Sequence, residues 1–283
     1  LNYPPEQINE RGNRNLSNLI NSGFSCISLT LAPATWKKLM RMGFLNYGNW
    51  CKSTEQALYS SVPRLSIQFR RPLIFNGEDP GLQEFNVLDE QGWLNNSLRE
   101  LNTLQSNNWI FELLHKESSS SYFYSYPSPE EFAVNNTTIV DLGWVMPNWN
   151  FTYNGQYSIL SGLEPKFLKS DQEGDPSFVS SLDEDYVWVN QMVKYYKYGY
   201  AKATDFFNEE IRGARIRRED AIKFVEKYDG ECSDELIESF CKYIDITSDK
   251  FWSTVHEFTN YSLFKITKDS PRPVPIFQVG GNQ

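Results

Sequence analysis

The sequence predicts an α/β protein with a partial parallel-sheet domain over residues 1–180, a helical subdomain over 181–268 and an irregular tail over 269–283. Two observations support this prediction. In the first half, short runs of β-forming residues alternate with segments of helical periodicity, as in sheets whose parallel strands are joined by helices. After about residue 180, the apolar residues follow the spacing of amphipathic helices.

The chain begins with a predicted helix over residues 7–21, which Gly23 would end. Its candidate core positions share one face: Ile8, Leu16, Leu19 and Ile20. Residues 24–31 are short, apolar and rich in β-formers, and they predict a strand. A second helix is predicted over 33–42, with Gly43 as its stop.

A third helix is predicted over residues 52–61, and two interpretations are open for the segment that follows. Pro63 could be the first residue of a further helix reaching Arg70, but the alternating Leu65, Ile67 and Phe69 also fit a strand. Residues 72–76 form an apolar run closed by Gly77, and they predict a buried strand. The order strand, helix, helix, strand favours a parallel sheet.

Helices are predicted in the second half over residues 183–197, 200–211 and 218–229, with Gly199 and Gly230 as breaks. Ser233 and Thr247 are predicted N-caps of two more helices, since a hydroxyl can accept a hydrogen bond from a free backbone N–H group. The apolar stripes of these last two helices contain Leu236, Ile237, Phe240, Cys241, Ile244, Phe251, Trp252, Val255 and Phe258.

The composition excludes several classes of protein. Of the 283 residues, 40% are hydrophobic and 22% charged, which is ordinary globular usage. With 27 Lys and Arg against 36 Asp and Glu, the net charge of −9 argues against nucleic-acid binding. No apolar run is long enough to span a membrane. Four cysteines without a C-x-x-C pair, and only two histidines, favour a reducing cytoplasmic location without a zinc site.

Gly77, Glu78 and Asp79 follow the predicted strand 72–76 and form the first candidate site. The carboxyl ends of parallel strands face the ligand crevice of an open sheet. Two carboxylates there could bind Mg²⁺ together with nucleotide phosphates, because Mg²⁺ takes a few protein carboxylates plus phosphate oxygens. The alternative is a solvated turn, since Gly, Asp and Pro are turn formers.

Cys51 and Lys52 stand at the predicted start of a helix. The helix N-terminus and the neighbouring ammonium group would lower the pKa of the Cys51 thiol, which makes Cys51 a candidate nucleophile. The alternative is a buried, non-catalytic cysteine.

Four arginines within seven residues form a candidate clamp for phosphate or carboxylate: Arg212, Arg215, Arg217 and Arg218. Thr204 and Asp205 could add polar ligand contacts, although an N-cap is an equal alternative. The arginines could instead form a solvated face paired with nearby carboxylates, namely Glu209, Glu210, Glu219 and Asp220.

Three segments carry a resemblance to a known family: TWKKLMRMGFLNYGNWCKSTE (35–55), RRPLIFNGEDPGLQ (70–83) and KYGYAKATDFFNEEIRGARIRREDAIKFVEKYDG (197–230). With them the chain resembles the N-acetyl sugar amidotransferases, PP-loop ATP pyrophosphatases of lipopolysaccharide O-antigen, pseudaminic acid and legionaminic acid biosynthesis. The resemblance implies an adenine-nucleotide alpha-hydrolase-like fold for residues 1–180. It also implies ATP and Mg²⁺ as cofactors, and a partner glutaminase that supplies ammonia.

By this resemblance, Gly77, Glu78 and Asp79 lie on the nucleotide side. Lys52, Thr204, Asp205 and the four arginines would help to bind the sugar or its phosphate. The Ser-Gly-Gly-x-Asp-Ser phosphate loop of the superfamily does not occur in the sequence. We therefore expect the chain to be truncated before residue 1 and to be inactive alone. Two alternatives are a sulfurtransferase that uses Cys51, and a non-catalytic sugar-binding subunit without the loop.

Overall fold

The computed structural model describes residues 3–78, 106–146, 148–167, 174 and 176–281. Within them the protein is a mixed α/β structure. Its helices are α1 (Glu10–Asn21), α2 (Pro33–Tyr47), α3 (Cys51–Gln68), α4 (Asn108–Lys116), α5 (Pro129–Asn135), α6 (Leu142–Val145), α7 (Phe151–Leu160), α8 (Val187–Tyr198), α9 (Lys202–Arg212), α10 (Arg218–Tyr228), α11 (Asp234–Ile244) and α12 (Ser248–Phe258). Its strands are β1 (Leu73–Asn76), β2 (Thr138–Asp141), β3 (Phe264–Lys265) and β4 (Val274–Pro275).

The chain divides into two units that are discontinuous in sequence. Unit 1 comprises Leu1–Pro4, Ile27–Met40 and Cys51–Asn154, and unit 2 comprises Pro5–Cys26, Arg41–Trp50 and Gly155–Gln283. The sequence prediction placed its boundary at residue 180, where the apolar residues take on helical periodicity throughout.

A parallel pair of strands lies in unit 1. β1 and β2 pair in parallel, in register from Leu73 with Thr138 to Asn76 with Asp141. This confirms the predicted strand after α3 and a parallel sheet, although the partner strand is β2 and not the predicted strand 24–31. Ile74 and Ile139 point to the same side of this sheet, where they form a buried cluster with Phe132 of α5. The period-two alternation of side chains leaves Leu73 and Phe75 on the other side, 52% and 60% exposed. The prediction that β1 is fully buried was therefore wrong.

Helix α3 holds the loop between α4 and α5 through polar side chains. Gln56 and Ser60 both donate hydrogen bonds to the carbonyl oxygen of Tyr124, at 2.7 and 3.1 Å. One turn further on, Arg64 donates to the carbonyl of Ser125 and forms an ion pair with Glu131. Since Glu131 also completes a capping box with Ser128 at the start of α5, the loop and α5 are fixed by the same helix.

Unit 2 is built around aromatic side chains. Phe44 stacks on Phe251 with 5.1 Å between ring centroids and meets the edge of Phe240 at 5.5 Å. Trp50 lies against Phe240 and donates its indole N–H to the carbonyl oxygen of Tyr186 at 3.0 Å. These large buried rings account for much of the apolar area removed from water, the main favourable term in folding.

Three predicted helix ends of the second half are confirmed by their caps, whereas the helix predicted from residue 183 begins at Val187. The Ser233 hydroxyl accepts from the backbone N–H of Leu236, and the Thr247 hydroxyl accepts from that of Lys250. Gly199 ends α8 with a left-handed φ of 81°, which glycine adopts without steric cost. The two-residue pair of β3 and β4 was not predicted, because so short a ladder leaves no period in the sequence.

The predicted strand over residues 24–31 was wrong. These residues have no regular structure, and Phe24 and Ile27 are 62% and 64% exposed. β propensity describes how well a side chain suits a paired, half-buried surface, and no described strand pairs with this segment. The core positions predicted for α1 were also partly wrong, since Leu19 and Ile20 are both exposed.

Two predicted breaks lie inside helices instead. α2 continues through Gly43 to Tyr47, and α3 is continuous through Pro63, which excludes the strand interpretation of residues 63–70. At Gly43 the glycine serves close packing, because an added Cβ would lie 2.7 Å from the carbonyl oxygen of Asn49.

Candidate functional site

The parallel pair in unit 1 places two polar side chains at its carboxyl end. Asn76 ends β1, Asp141 ends β2, and the two residues are register partners. The Asn76 amide donates to a carboxylate oxygen of Asp141 at 3.2 Å, and Asp141 is only 3% exposed. A buried carboxylate positioned by an amide can bind a cation or accept a hydrogen bond.

Gly77 and Glu78 continue directly from this end of the sheet. The carbonyl oxygen of Glu78 accepts from the backbone N–H of Gly143 at 3.0 Å, so the segment after β1 lies beside the segment after β2. Among the described residues, nothing lies within 4 Å of a Cβ added at Gly77, so their packing does not require glycine at this position. Asp79, the third residue of this predicted site, lies outside the described residues.

Cys51 and Lys52 begin α3, as predicted. Cys51 is 7% exposed, so the side chain that the sequence offered as a nucleophile is buried. Partial burial lowers the pKa of the Lys52 ammonium, and the nearby Glu55 carboxylate opposes that shift. The position at the helix start is confirmed, whereas a nucleophilic role for Cys51 stays a prediction.

In unit 2, Thr204 belongs to a buried capping arrangement. The Asp229 carboxylate accepts from the backbone N–H groups of Ala201 and Ala203, each at 2.9 Å, and also from the N–H and hydroxyl of Thr204. It thereby satisfies the free N–H groups at the start of α9. Burial raises the pKa of Asp229, and the hydrogen bonds oppose that rise.

Asp205, the next residue, is partly exposed and paired with Lys194 of α8. The Lys194 ammonium lies 2.5 Å from an Asp205 carboxylate oxygen and 4.8 Å from the centroid of the Tyr200 ring. The two predicted ligand residues Thr204 and Asp205 therefore differ: the hydroxyl of Thr204 is used within the fold, and the Asp205 carboxylate is at the surface.

Two of the four arginines have carboxylate partners close in sequence. Arg215 contacts Glu210 at 2.9 Å and Glu209 at 3.7 Å, and Arg217 contacts Asp220 at 2.9 Å. The hydrogen bond with Glu210 raises the pKa of Arg215, while Lys223 and Arg217 lower the pKa of Asp220. These pairs favour the solvated-face alternative for that part of the cluster.

Arg218 and Arg212 lie at the two ends of the cluster in the fold, Arg218 at the start of α10 and Arg212 at the end of α9. The Arg218 guanidinium donates to the carbonyl oxygen of Gly280 at 3.4 Å, and Arg212 is an exposed residue at the end of α9. A role of the cluster in phosphate binding stays a prediction.

Asn76, Asp141 and Asp229 were missed by the sequence analysis. Asp141 follows the β-branched run Thr138-Ile139-Val140, a local signal that would have suggested a strand end. Asp229 has no such signal, because its partners lie 25 to 28 residues earlier. Among the described residues, no group of three or more His, Cys, Asp or Glu side chains could hold a metal ion.

Within the part of the chain that the structure describes, no helix combines the length and apolar character needed to cross a membrane. Among curated proteins, none matches the chain. Residues 177–274 match a family described as LPS biosynthesis protein WbpG-like, C-terminal domain. This match covers helices α8 to α12 of unit 2. The similarity of its C-terminal region supports a role for the protein in lipopolysaccharide biosynthesis.

Proposed function

We propose that the protein is an ATP-dependent amidotransferase of lipopolysaccharide biosynthesis. It would convert the acetamido group of an N-acetyl sugar or sugar nucleotide to an acetamidino group. The observation that carries this proposal is the match of residues 177–274 to the WbpG-like family, which includes the whole of segment 197–230, the most specific part of the sequence resemblance.

The reaction needs activation because an amide oxygen is a poor leaving group. The acetamido oxygen attacks the α-phosphate of ATP, an O–P bond forms, and pyrophosphate leaves. Ammonia then attacks the activated carbon, loses a proton and displaces AMP, which leaves the acetamidino group. A partner glutaminase would supply the ammonia.

The carboxyl end of the β1–β2 pair offers suitable groups for ATP with Mg²⁺. Asp141 is a buried carboxylate positioned by Asn76, and Glu78 lies just beyond β1. Oxygen ligands of this kind fit Mg²⁺, which takes few carboxylates when phosphates complete its shell. When bound, Mg²⁺ would offset the negative charge that develops on the leaving pyrophosphate.

The test uses protein expressed from the complete reading frame, with UDP-N-acetylglucosamine, ATP, Mg²⁺ and ammonium chloride in place of the glutaminase. We expect AMP and an acetamidino product by mass spectrometry. Asp141→Asn should lower turnover about 100-fold, a typical loss when one charged group at the transferring phosphates is removed. Asp249→Asn, at an exposed position of α12, is the control. Absence of AMP with a panel of N-acetyl sugar nucleotides would refute the proposal.

A substitution at Cys51 distinguishes the proposed amidotransferase from a sulfurtransferase with the same fold. Because Cys51 is buried at the start of α3, Cys51→Ser should leave amidation within about threefold of wild type, as for a small change away from the reacting atoms. Complete loss of turnover in a folded variant would instead indicate a persulfide carrier. Sugar binding without nucleotide binding would indicate a non-catalytic subunit.

A further inference from the structure

Two exposed tyrosines stand on either side of the turn between α8 and α9. Tyr198 is 55% exposed and Tyr200 is 41% exposed, although both belong to the well-packed helical part of unit 2. Their ring centroids are 6.1 Å apart, and the ring planes are inclined by 37°. Two neighbouring rings thus present a contiguous aromatic surface to solvent, which we name the tyrosine platform.

The backbone beneath the platform is fixed from both sides. Gly199 donates its N–H to the carbonyl of Tyr195 at 2.7 Å, and a Cβ at Gly199 would approach Leu263 to 3.0 Å. Beyond Tyr200, the Asp229 carboxylate holds the N–H groups of Ala201 and Ala203. The rings are therefore displayed by a preorganised turn, which reduces the entropy lost on binding.

A lysine ammonium group lies over one face of each ring. Lys194 lies over Tyr200 and pairs with Asp205, while Lys197 lies 5.4 Å from the Tyr198 centroid and donates to the carbonyl of Tyr47 at 2.8 Å. The Lys194–Asp205 pair carries no net charge but offers both donors and acceptors beside the Tyr200 ring.

We propose that the tyrosine platform binds the pyranose ring of the N-acetyl sugar, with the Lys194–Asp205 pair hydrogen-bonded to the sugar hydroxyls. This inference rests on the proposed function for the choice of sugar. The negative face of an aromatic ring attracts the weakly positive C–H groups on one side of a pyranose. An aromatic surface with a few placed polar groups is also the usual composition of small-molecule sites.

The charges favour the sugar over its phosphate. The charge of Lys194 is balanced by Asp205, and Lys197 donates a hydrogen bond to a backbone carbonyl. Neither lysine is therefore arranged chiefly to bind a phosphate dianion. The phosphates would have to bind elsewhere, for which Arg212 and Arg218 are candidates. Of the residues in this proposed site, Asp205 was among the predicted substrate-binding residues, whereas Tyr198, Tyr200 and Lys194 were not.

The experiment measures binding without ATP or ammonia, by saturation-transfer NMR and calorimetry on the full chain. The probes are methyl N-acetyl-β-glucosaminide, UDP-N-acetylglucosamine and UDP. We expect both acetylated probes to bind, and Tyr198→Ala and Tyr200→Ala each to weaken them about tenfold, the loss of one aromatic contact. Tyr198→Phe and Tyr200→Phe, which keep the rings, should bind within about threefold of wild type.

Tyr157→Ala is the matched control, because Tyr157 is a 65% exposed tyrosine of α7 in the same unit. Asp205→Asn should weaken binding while leaving both rings in place. The inference would be overturned if neither acetylated probe bound, or if the alanine variants bound these probes as tightly as the wild type. It would also be overturned if the alanine substitutions weakened only the binding of UDP. Platform-dependent sugar binding in a protein that makes no AMP would refute the amidotransferase proposal but keep this one.

Discussion

Asp229 illustrates how a single residue can organise a segment that is remote in sequence. Its donors come from residues 201–204, and all of them are backbone N–H groups except the Thr204 hydroxyl. The sequence suggested that Thr204 could cap a helix, whereas the structure assigns the capping acceptor to Asp229 and makes Thr204 a donor. The same bonds fix the turn that carries Tyr200.

Asp229→Ala is expected to destabilise the protein by about 2–4 kcal/mol, since a cap is lost and several buried N–H groups lose their acceptor. The measurement is the free energy of unfolding by urea. Asp205→Ala is the comparison, because its partly exposed pair with Lys194 should contribute at most about 1 kcal/mol. Equal losses in both variants would show that Asp229 is not the organising cap.

Glu184 is a second buried carboxyl, 2% exposed, that accepts from the backbone N–H groups of Tyr186 and Val187 at the start of α8. Burial raises its pKa to about 8, and the neighbouring Asp185 and Asp183 add to the rise. In the unfolded chain a glutamate ionises near pH 4.3. Between these values the folded state binds more protons, so stability must fall as the pH rises.

We therefore expect the urea midpoint of the wild type to decrease from pH 5.5 to 8.5. Glu184→Gln should flatten this slope without abolishing it, because burial also raises the pKa of Asp183 and Asp229. Glu226→Gln, at an exposed position of α10, serves as the control. An unchanged slope in Glu184→Gln would contradict the assignment.

At the scale of elements, α2 shows how packing overrides a local signal. Gly43 was predicted to end the helix, since glycine is a poor helix former. The helix continues because the chain that follows it folds back closely enough for Asn49 to donate its N–H to the carbonyl of Gly43 at 3.2 Å. Only a residue without a side chain leaves room for that return.

Gly43→Ala should have two opposite effects on the stability of the protein, and they differ in size. Alanine should gain about 1 kcal/mol of helix propensity, but its Cβ would lie 2.7 Å from a backbone oxygen that cannot rotate away. We expect a net destabilisation of about 1–3 kcal/mol, the usual cost of overpacking. Gly77→Ala, with open space at the Cβ position, should be neutral in the same thermal unfolding experiment. A stabilised Gly43→Ala would show that the return can shift.

Helix α3 also shows that a local sequence pattern does not by itself decide between helix and strand. A proline and an alternating apolar pattern left helix and strand equally open over residues 63–70. In the structure the segment is helical, and the contacts of Arg64 with Ser125 and Glu131 favour this choice. The helix places Arg64 on the same face as Gln56 and Ser60, which hold the same loop. That preference depends on residues about 65 positions later, so local pattern could not reveal it.

At the scale of the whole molecule, the parallel pairing and the candidate site depend on the same long connection. Asn76 and Asp141 are 65 residues apart in sequence, yet they meet as register partners at one end of the pair. The sequence indicated the first strand and the importance of its carboxyl end. It did not indicate which second strand would bring a carboxylate to that end.

The sequence by itself determined the helices of the second half, their caps at Ser233 and Thr247, and the existence of strand β1. These features depend on side-chain periodicity and on hydrogen bonds that span three residues. Only the tertiary structure decided that residues 24–31 form no strand, that Gly43 lies within a helix, and that Asp141 and Asp229 are the buried carboxylates of their regions. The physical reason is that strand pairing, close backbone approach and burial of a charge each depend on a partner remote in the chain.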